Sequence, residues 1–170
     1  MEKRNVTVSA IVAAIVLIGD QLSKHWAETW LRTNGEYKIW DGVLHLRYVE
    51  NRGAAFGMMQ GGKWFFLAIT GIACAAMLYF LIKERKRLHF MMTFSLALLL
   101  SGAIGNLIDR VALGYVRDMI YVVLIDFAVF NVADMAVTVG CCLLVLDLLF
   151  FKGKKYMEMM DKKPQTGENS

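Results

Sequence analysis

Little in this chain punctuates or staples a soluble fold. Its 170 residues include a single proline, only 20% charged residues, and three each of cysteine and histidine. Cys74, Cys141 and Cys142 all fall inside long apolar runs, where neither a disulfide framework nor a zinc site fits. His25, His45 and His89 are scattered and form no HExxH arrangement, so a histidine-based metal site is not expected. No GxSxG elbow is present either, which leaves the acids as the serious candidates for hydrolytic chemistry. The reading calls for no metal and no cofactor.

What is abundant is apolar. Hydrophobic residues make up 57% of the chain and come in long blocks, a composition that points to membrane spans and not to an ordinary soluble domain. The blocks predict an α-helical integral membrane protein with four transmembrane helices, at about residues 6–26, 64–82, 89–107 and 130–151. One membrane-embedded domain would occupy residues 1–151, and residues 152–170 would form a polar cytoplasmic tail. The first block follows Lys3 and Arg4 as a secretory signal would, but it ends in no small-x-small site and continues into Asp20, so it reads as an uncleaved span.

The formal charge of +4 comes largely from short basic clusters beside the apolar runs. Such clusters suit an orientation signal better than a nucleic-acid surface. Lys3 and Arg4, residues 83–87 and residues 152–155 would share one side of a four-span chain, making both termini cytoplasmic.

The main polar interruption, residues 28–62, then lies outside. Within it Leu44, Leu46 and Tyr48 alternate with other residues, which predicts a strand over 43–49. The glycine-punctuated run at 51–57 predicts a loop. Trp26, Trp30, Trp40 and Trp64 cluster around this segment, where amphipathic rings suit a headgroup-level anchor. The expectation is a small extracytoplasmic β-sheet, or cradle, lying on the membrane.

The stretch 105–134 holds four aspartates, Asp109, Asp118, Asp126 and Asp134. Two close the same pattern, Asn-x-x-Asp, as Asn106 to Asp109 and Asn131 to Asp134; on a helix that spacing places amide and carboxylate on one face. Asp20 and Lys24, spaced i, i+4 near the outer end of the first span, could pair. In the four-span topology Asp20, Asn106, Asp109, Asn131 and Asp134, from three separate helices, reach one level on the outer side. Asp147, near the cytoplasmic end and close to Lys152, reads as an ordinary interfacial charge.

Two carboxylates sharing one proton can hydrolyse an amide without a metal, one taking a proton from water while the other polarises the carbonyl. A structural network of Asp109 with Arg110, and of Asp118 with Arg117 or Lys24, would leave the same trace in the sequence. On the residues alone, a protease and a small proton- or ion-coupled transporter component stand level. The repeated pattern alone would pair Asp109 with Asp134.

Five motifs, in order, carry a resemblance: Asp20-Gln-x-x-Lys24, Asn51-x-Gly53-x-Ala55-Phe56-Gly57, Gly105-Asn-Leu-Ile-Asp-Arg110, Gly114-x-Val-x-Asp118 and Phe130-Asn-Val-Ala-Asp134. Together they resemble the bacterial lipoprotein signal peptidase family, signal peptidase II, over about residues 6–151. The resemblance implies an aspartic endopeptidase that cleaves signal peptides from diacylglyceryl-modified prolipoproteins just before the lipidated cysteine. It implies a place in the bacterial cytoplasmic (inner) membrane, an active site toward the extracytoplasmic side, and contact with prolipoprotein signal peptides and membrane lipids. A monomer is expected.

By motif position the resemblance makes Asp118 and Asp134 the catalytic dyad, against the pairing that the repeat suggests, with Asp109 a supporting acid beside Arg110. Asn51, Asn106, Asn131 and Arg110 would hold the substrate backbone and position the dyad. Asp20 and Lys24 would shape the pocket, and the 51–57 segment, with Gly53, would act as a flap. Met119 departs from the family pattern, where an aromatic residue is expected.

Overall fold

In the computed structural model, which describes residues 3–53, 62–85 and 87–151, four helices are long and apolar enough to cross a membrane. They are α1 (Lys3–Trp26), α2 (Lys63–Lys83), α3 (Phe90–Ala112) and α4 (Val132–Phe150). A three-stranded antiparallel sheet, β1 (Tyr37–Trp40), β2 (Leu44–Asn51) and β3 (Val116–Val122), is assembled in that order. The molecule is therefore an α-helical membrane protein with a small open sheet, as the apolar blocks and the alternation around residue 45 led us to expect. The tail at 152–170 and the flap residues 54–57 lie outside the described residues.

Helix α3 is the axis of the bundle. Residues on several of its faces, among them Met92, Leu96, Leu98, Ser101 and Gly105, are buried, whereas α2 buries none of its residues and presents its apolar side chains outward. With no hydrophobic drive between helices in lipid, small residues that let backbones close up decide the packing. A Cβ added at Gly102 would stand 2.4 Å from the Ala133 carbonyl oxygen on α4, and one at Gly140 would stand 2.9 Å from the Ser95 carbonyl oxygen. No side chain fits at either crossing, so α3 and α4 lie against each other along much of their length.

At one end of this contact, where α3 begins and α4 ends, Leu88, Met92 and Leu96 form an apolar cluster with Leu144 and Leu148 of α4. Asp147 belongs to that interior and not to the interface. It is fully buried, and its Oδ1 lies 2.8 Å from His89 Nε2. The last turn of α4 packs on the start of α3, which turns position 147 inward.

Helix α1 does not stop at Trp26 but continues through a π-helical stretch, Ala27–Leu31, and one further turn, Arg32–Asn34. Gly35, at φ 82°, takes the left-handed turn that ends it. Trp26 and Trp30 stack at 5.6 Å, with Tyr37 edge-on to Trp30, and Trp40 and Trp64 are exposed. This places a belt of amphipathic rings at one end of the bundle. Beneath the sheet, Ala27, Leu31 and Met119 are buried against Leu46 and Tyr48. Met119 thus fills a core position under the sheet, which accounts for a large apolar residue there.

The structure differs from the expected strand in one consequential way. β2 runs on to Asn51, which pairs with Val116, and Val49 pairs with Asp118. Asn51 is therefore held in a ladder and is not a loop residue. The sheet carries it, and Asp118, to the end of the bundle where α3 and α4 meet.

Candidate active site

The site is built from four elements whose ends converge: the last turns of α3, the end of β2, the strand β3, and the first turn of α4. Asn131 caps α4 by accepting from the Asp134 backbone N–H at 2.9 Å, while the Asp134 carboxylate accepts from the Asn131 backbone N–H at 3.2 Å. This reciprocal capping box satisfies two donors that a helix start otherwise leaves unpaired. It also fixes the rotamers of both side chains.

The amide of Asn131 then reaches across to β3. Its Nδ2 donates to Asp118 Oδ1 at 2.6 Å, and Asn51 Nδ2 donates to Asp118 Oδ2 at 3.0 Å. On the other side Asn106 Nδ2 donates to Asp134 Oδ1 at 2.7 Å. Asp118 and Asp134, from separate elements, face one cavity of about 510 Å³ that Asn51, Asn106 and Arg110 also line. Phe127, Phe130, Met135 and Val137 make its apolar wall. Asp118 is 1% exposed and Asp134 half-buried. Burial first, and then the charge of Asp134, push the Asp118 carboxyl up to about 7, against the pull of Asn51 and Asn131.

Among the described residues neither acid is in an ion pair, which sets them apart from their neighbours. Asp20 Oδ2 pairs with Lys24 Nζ at 2.8 Å, and Asp20 Oδ1 accepts from the Ala133 N–H at 2.9 Å, another donor at the start of α4. Both Asp20 and Lys24 are fully buried. Lys24 Nζ also donates to Asn106 Oδ1 at 2.9 Å. An ammonium has no acceptor, so this contact turns the Asn106 NH₂ toward Asp134.

Asp109 has a partner other than the one expected. It is held by Arg117, through Nη2 to Oδ1 at 2.7 Å and Nε to Oδ2 at 3.1 Å, and its Oδ2 accepts the Arg117 backbone N–H at 2.9 Å. Arg110 turns elsewhere, with Nη2 3.4 Å from the Gly53 carbonyl oxygen and its guanidinium over the Phe66 ring. Consecutive helical residues point about 100° apart, so Asp109 and Arg110 cannot share a face. The two Asn-x-x-Asp repeats therefore diverge: one is a helix cap, while in the other Asn106 serves Asp134 and Asp109 serves β3.

Reading the sequence missed Arg117, Gln21 and Glu28 as parts of the site. Arg117 Nη1 meets Glu28 Oε2 at 2.9 Å and Nη2 meets Gln21 Oε1 at 3.1 Å. No spacing signals a contact between residues so far apart in the chain. Gln21 stands inside the first motif, and Arg117 beside Asp118, yet only the fold shows that they clamp the strand.

A profile of the family described as "Signal peptidase (SPase) II" matches residues 12–150. The lipoprotein signal peptidase of Streptococcus thermophilus (strain CNRZ 1066) is 46% identical over 142 residues, covering 83% of this chain and 92% of that protein. That of Clostridioides difficile (strain 630) is 43% identical over 145 residues, covering 85% and 97%. A solved structure described as a bacterial membrane enzyme, at 2.3 Å resolution, superposes with a TM-score of 0.78 at 33% identity, covering 95% of each chain.

Proposed function

This chain belongs to the signal peptidase II family, which makes it an aspartic peptidase of a bacterial membrane, and from that premise we propose that it removes signal peptides from diacylglyceryl-modified prolipoproteins just before the lipidated cysteine. Asp118 and Asp134 are the reacting pair. The observation that carries the assignment is that these two acids face one cavity with amide donors on every carboxyl oxygen and no ion-pair partner among the described residues. Asp20 and Asp109, in contrast, are neutralised.

The chemistry follows from one proton shared between two carboxyls. Asp118, the more buried, holds it, hydrogen-bonds it to the scissile carbonyl oxygen and transfers it there as the water attacks. Asp134, ionised, takes a proton from water as the water oxygen attacks the carbonyl carbon. The tetrahedral diol then collapses: the C–N bond breaks, the leaving nitrogen takes the proton from Asp134, and the diol returns one to the pair. Arg110 and the Asn51 amide edge supply donors for the peptide backbone, and the apolar wall meets the lipid. Each residue comes from a single chain, so a monomer suffices, with residues 1–151 acting as one membrane domain. Family membership displaces the transporter reading.

The direct test is cleavage of a lipid-modified prolipoprotein by the purified protein in detergent. A folded protein that leaves this substrate intact would overturn the reading. The Asp118 carboxyl sets the pH profile. It titrates near 7 in the fold against 3.8 ordinarily, so the proton needed for catalysis is present below pH 7 and lost above it. We expect kcat/KM to fall through an alkaline limb close to pH 7. The same shift has a definite sign for stability. The neutral form is favoured by folding, so its contribution is complete below about pH 3.9 and is lost as pH rises to 7. The thermal midpoint should fall over that range, and a flat profile for both rate and midpoint would contradict the assignment.

We further propose that both termini are cytoplasmic and that the site faces outward, as the basic clusters suggest. Reporter fusions should place residue 40 outside and residue 85 inside; the reverse would sink the topology.

A further inference from the structure

A second cavity, of about 950 Å³, lies between α1, α2 and α3, and its wall shares no residue with that of the candidate active site. It occupies the half of the bundle where α1 and α3 begin and α2 ends. On α1 it runs from Val6 to Leu17, roughly 16 Å at 1.5 Å per residue, or about half the hydrocarbon depth of a bilayer. Ala10, Ala13 and Ala14 form one side and Leu78 and Leu81 of α2 the other. The small side chains on α1 are what leave the two helices unpacked there.

Thr7, Ser9, Arg85, Thr93 and Ser101 interrupt this apolar groove, and the hydroxyls of Thr93 and Ser101 donate to the backbone carbonyls of His89 and Leu98. At its mouth stands Arg85, exposed. The other described cations of that turn are engaged: Arg87 with Glu84 at 3.5 Å, and Lys83 over the Tyr79 ring. Arg85 has no carboxylate partner among the described residues. Inside, Ser9 is 2% exposed and its hydroxyl has no hydrogen-bond partner among the described residues, although it lines the groove. A buried hydroxyl in an apolar setting is costly unless something accepts from it. Ser9 is three residues, roughly 4.5 Å, deeper than Val6 at the mouth. A guanidinium at the rim, an unpartnered donor just below it, and then a long apolar slot match a phosphate, an ester carbonyl and an acyl chain, in that order.

We propose that this groove binds one anionic phospholipid of the cytoplasmic leaflet, with its phosphate on Arg85, an ester carbonyl on Ser9 and one acyl chain along α1. The choice of leaflet rests on the orientation proposed above; the binding does not. Arg85 selects against the alternative occupant. A signal peptide leads with positive charge and would bring like charge to the rim, whereas a guanidinium matches phosphate with a bidentate fork. Basic pockets between spans on the cytoplasmic side are where acidic headgroups are captured.

The full-length protein in detergent, mixed with equal amounts of phosphatidylglycerol and phosphatidylcholine of identical acyl chains, tests this by native mass spectrometry. One tightly retained lipid is expected, with phosphatidylglycerol favoured about fivefold, the worth of one basic residue near an anionic headgroup. Arg85→Gln should equalise the two lipids while leaving cleavage of the lipid-modified substrate unchanged. Ala14→Phe, which fills the slot, should remove the retained lipid of either kind. Equal retention by the wild type, a preference that survives Arg85→Gln, or retention undiminished by Ala14→Phe would each overturn the proposal. Because bound lipid is the readout, a failure of the peptidase assignment would leave this result standing, and the reverse.

Discussion

Asp118→Asn and Asp134→Asn should each lower cleavage of a lipid-modified prolipoprotein by at least about 10³-fold while the protein remains folded and inserted. In the proposed mechanism each carboxyl is both donor and acceptor within one cycle, and an amide can move no proton in either role. The two act as a unit, so the double variant should be no slower than the worse single one. Folding survives because the changes offset. Asp118→Asn turns one of two accepted contacts, from Asn51 or Asn131, into a donor facing a donor, a loss of about 1–3 kcal/mol. It also removes a carboxyl that burial disfavours in its charged form. Asp134→Asn keeps an oxygen able to accept from the Asn131 N–H, so the start of α4 remains capped. Circular dichroism and thermal unfolding in detergent check the fold, and substrate gel shift checks the rate. Near-normal turnover in either single variant would refute the pair.

Asp109→Ala should be the most destabilising single change at the site, although the proposed mechanism gives Asp109 no part in the chemistry. Its carboxylate is fully buried and satisfies three donors of Arg117: the backbone N–H, Nε and Nη2. Removing one partner of a buried pair leaves the other charge without compensation, a loss of about 3–5 kcal/mol. Lys24, 3.7 Å from the same carboxylate, loses a neighbour as well. Activity should fall with stability, because Arg117 precedes Asp118 and anchors the strand that presents it. Glu28→Gln is the control. Glu28 meets the same guanidinium at the more open edge, where an ion pair is worth under about 1 kcal/mol. A melting temperature for Asp109→Ala within a degree or two of the wild type would show that the clamp is not what holds β3.

These two experiments separate what the sequence makes visible from what it hides. Four spans are legible because each is a long, mostly apolar run, and β2 because its side chains alternate. Asp20 and Lys24 are legible as a pair because helical spacing is a local rule. Asp109 is misread for the same reason: local reasoning offers it Arg110, its neighbour, whereas its partner is Arg117, across a turn and on a strand. Asp147 is misread because proximity to Lys152 in sequence says nothing of which face of α4 packs on α3. Its partner is His89, far away in the chain. The sheet is only partly foreseen, since β1 is four exposed residues and β3 owes its shape to pairing with β2. In each case a short-range rule loses to a contact that exists only once helices and strands have assembled.

The capping box at Asn131 and Asp134 has a bearing on biosynthesis. The hydrogen bonds that start α4 also orient the proposed reacting groups: Asn131 donates on to Asp118 of β3, and the further donors, Asn106 and Asn51, come from α3 and β2. Helix α4 follows α3 and the three strands in the chain, so it leaves the ribosome after them. A nascent chain therefore carries Asp118 without Asp134, and then Asp134 without its settled turn, for as long as insertion is incomplete. On the proposed mechanism the half-made enzyme is silent, because one acid of the pair belongs to the first turn of α4 and is oriented only as that helix forms.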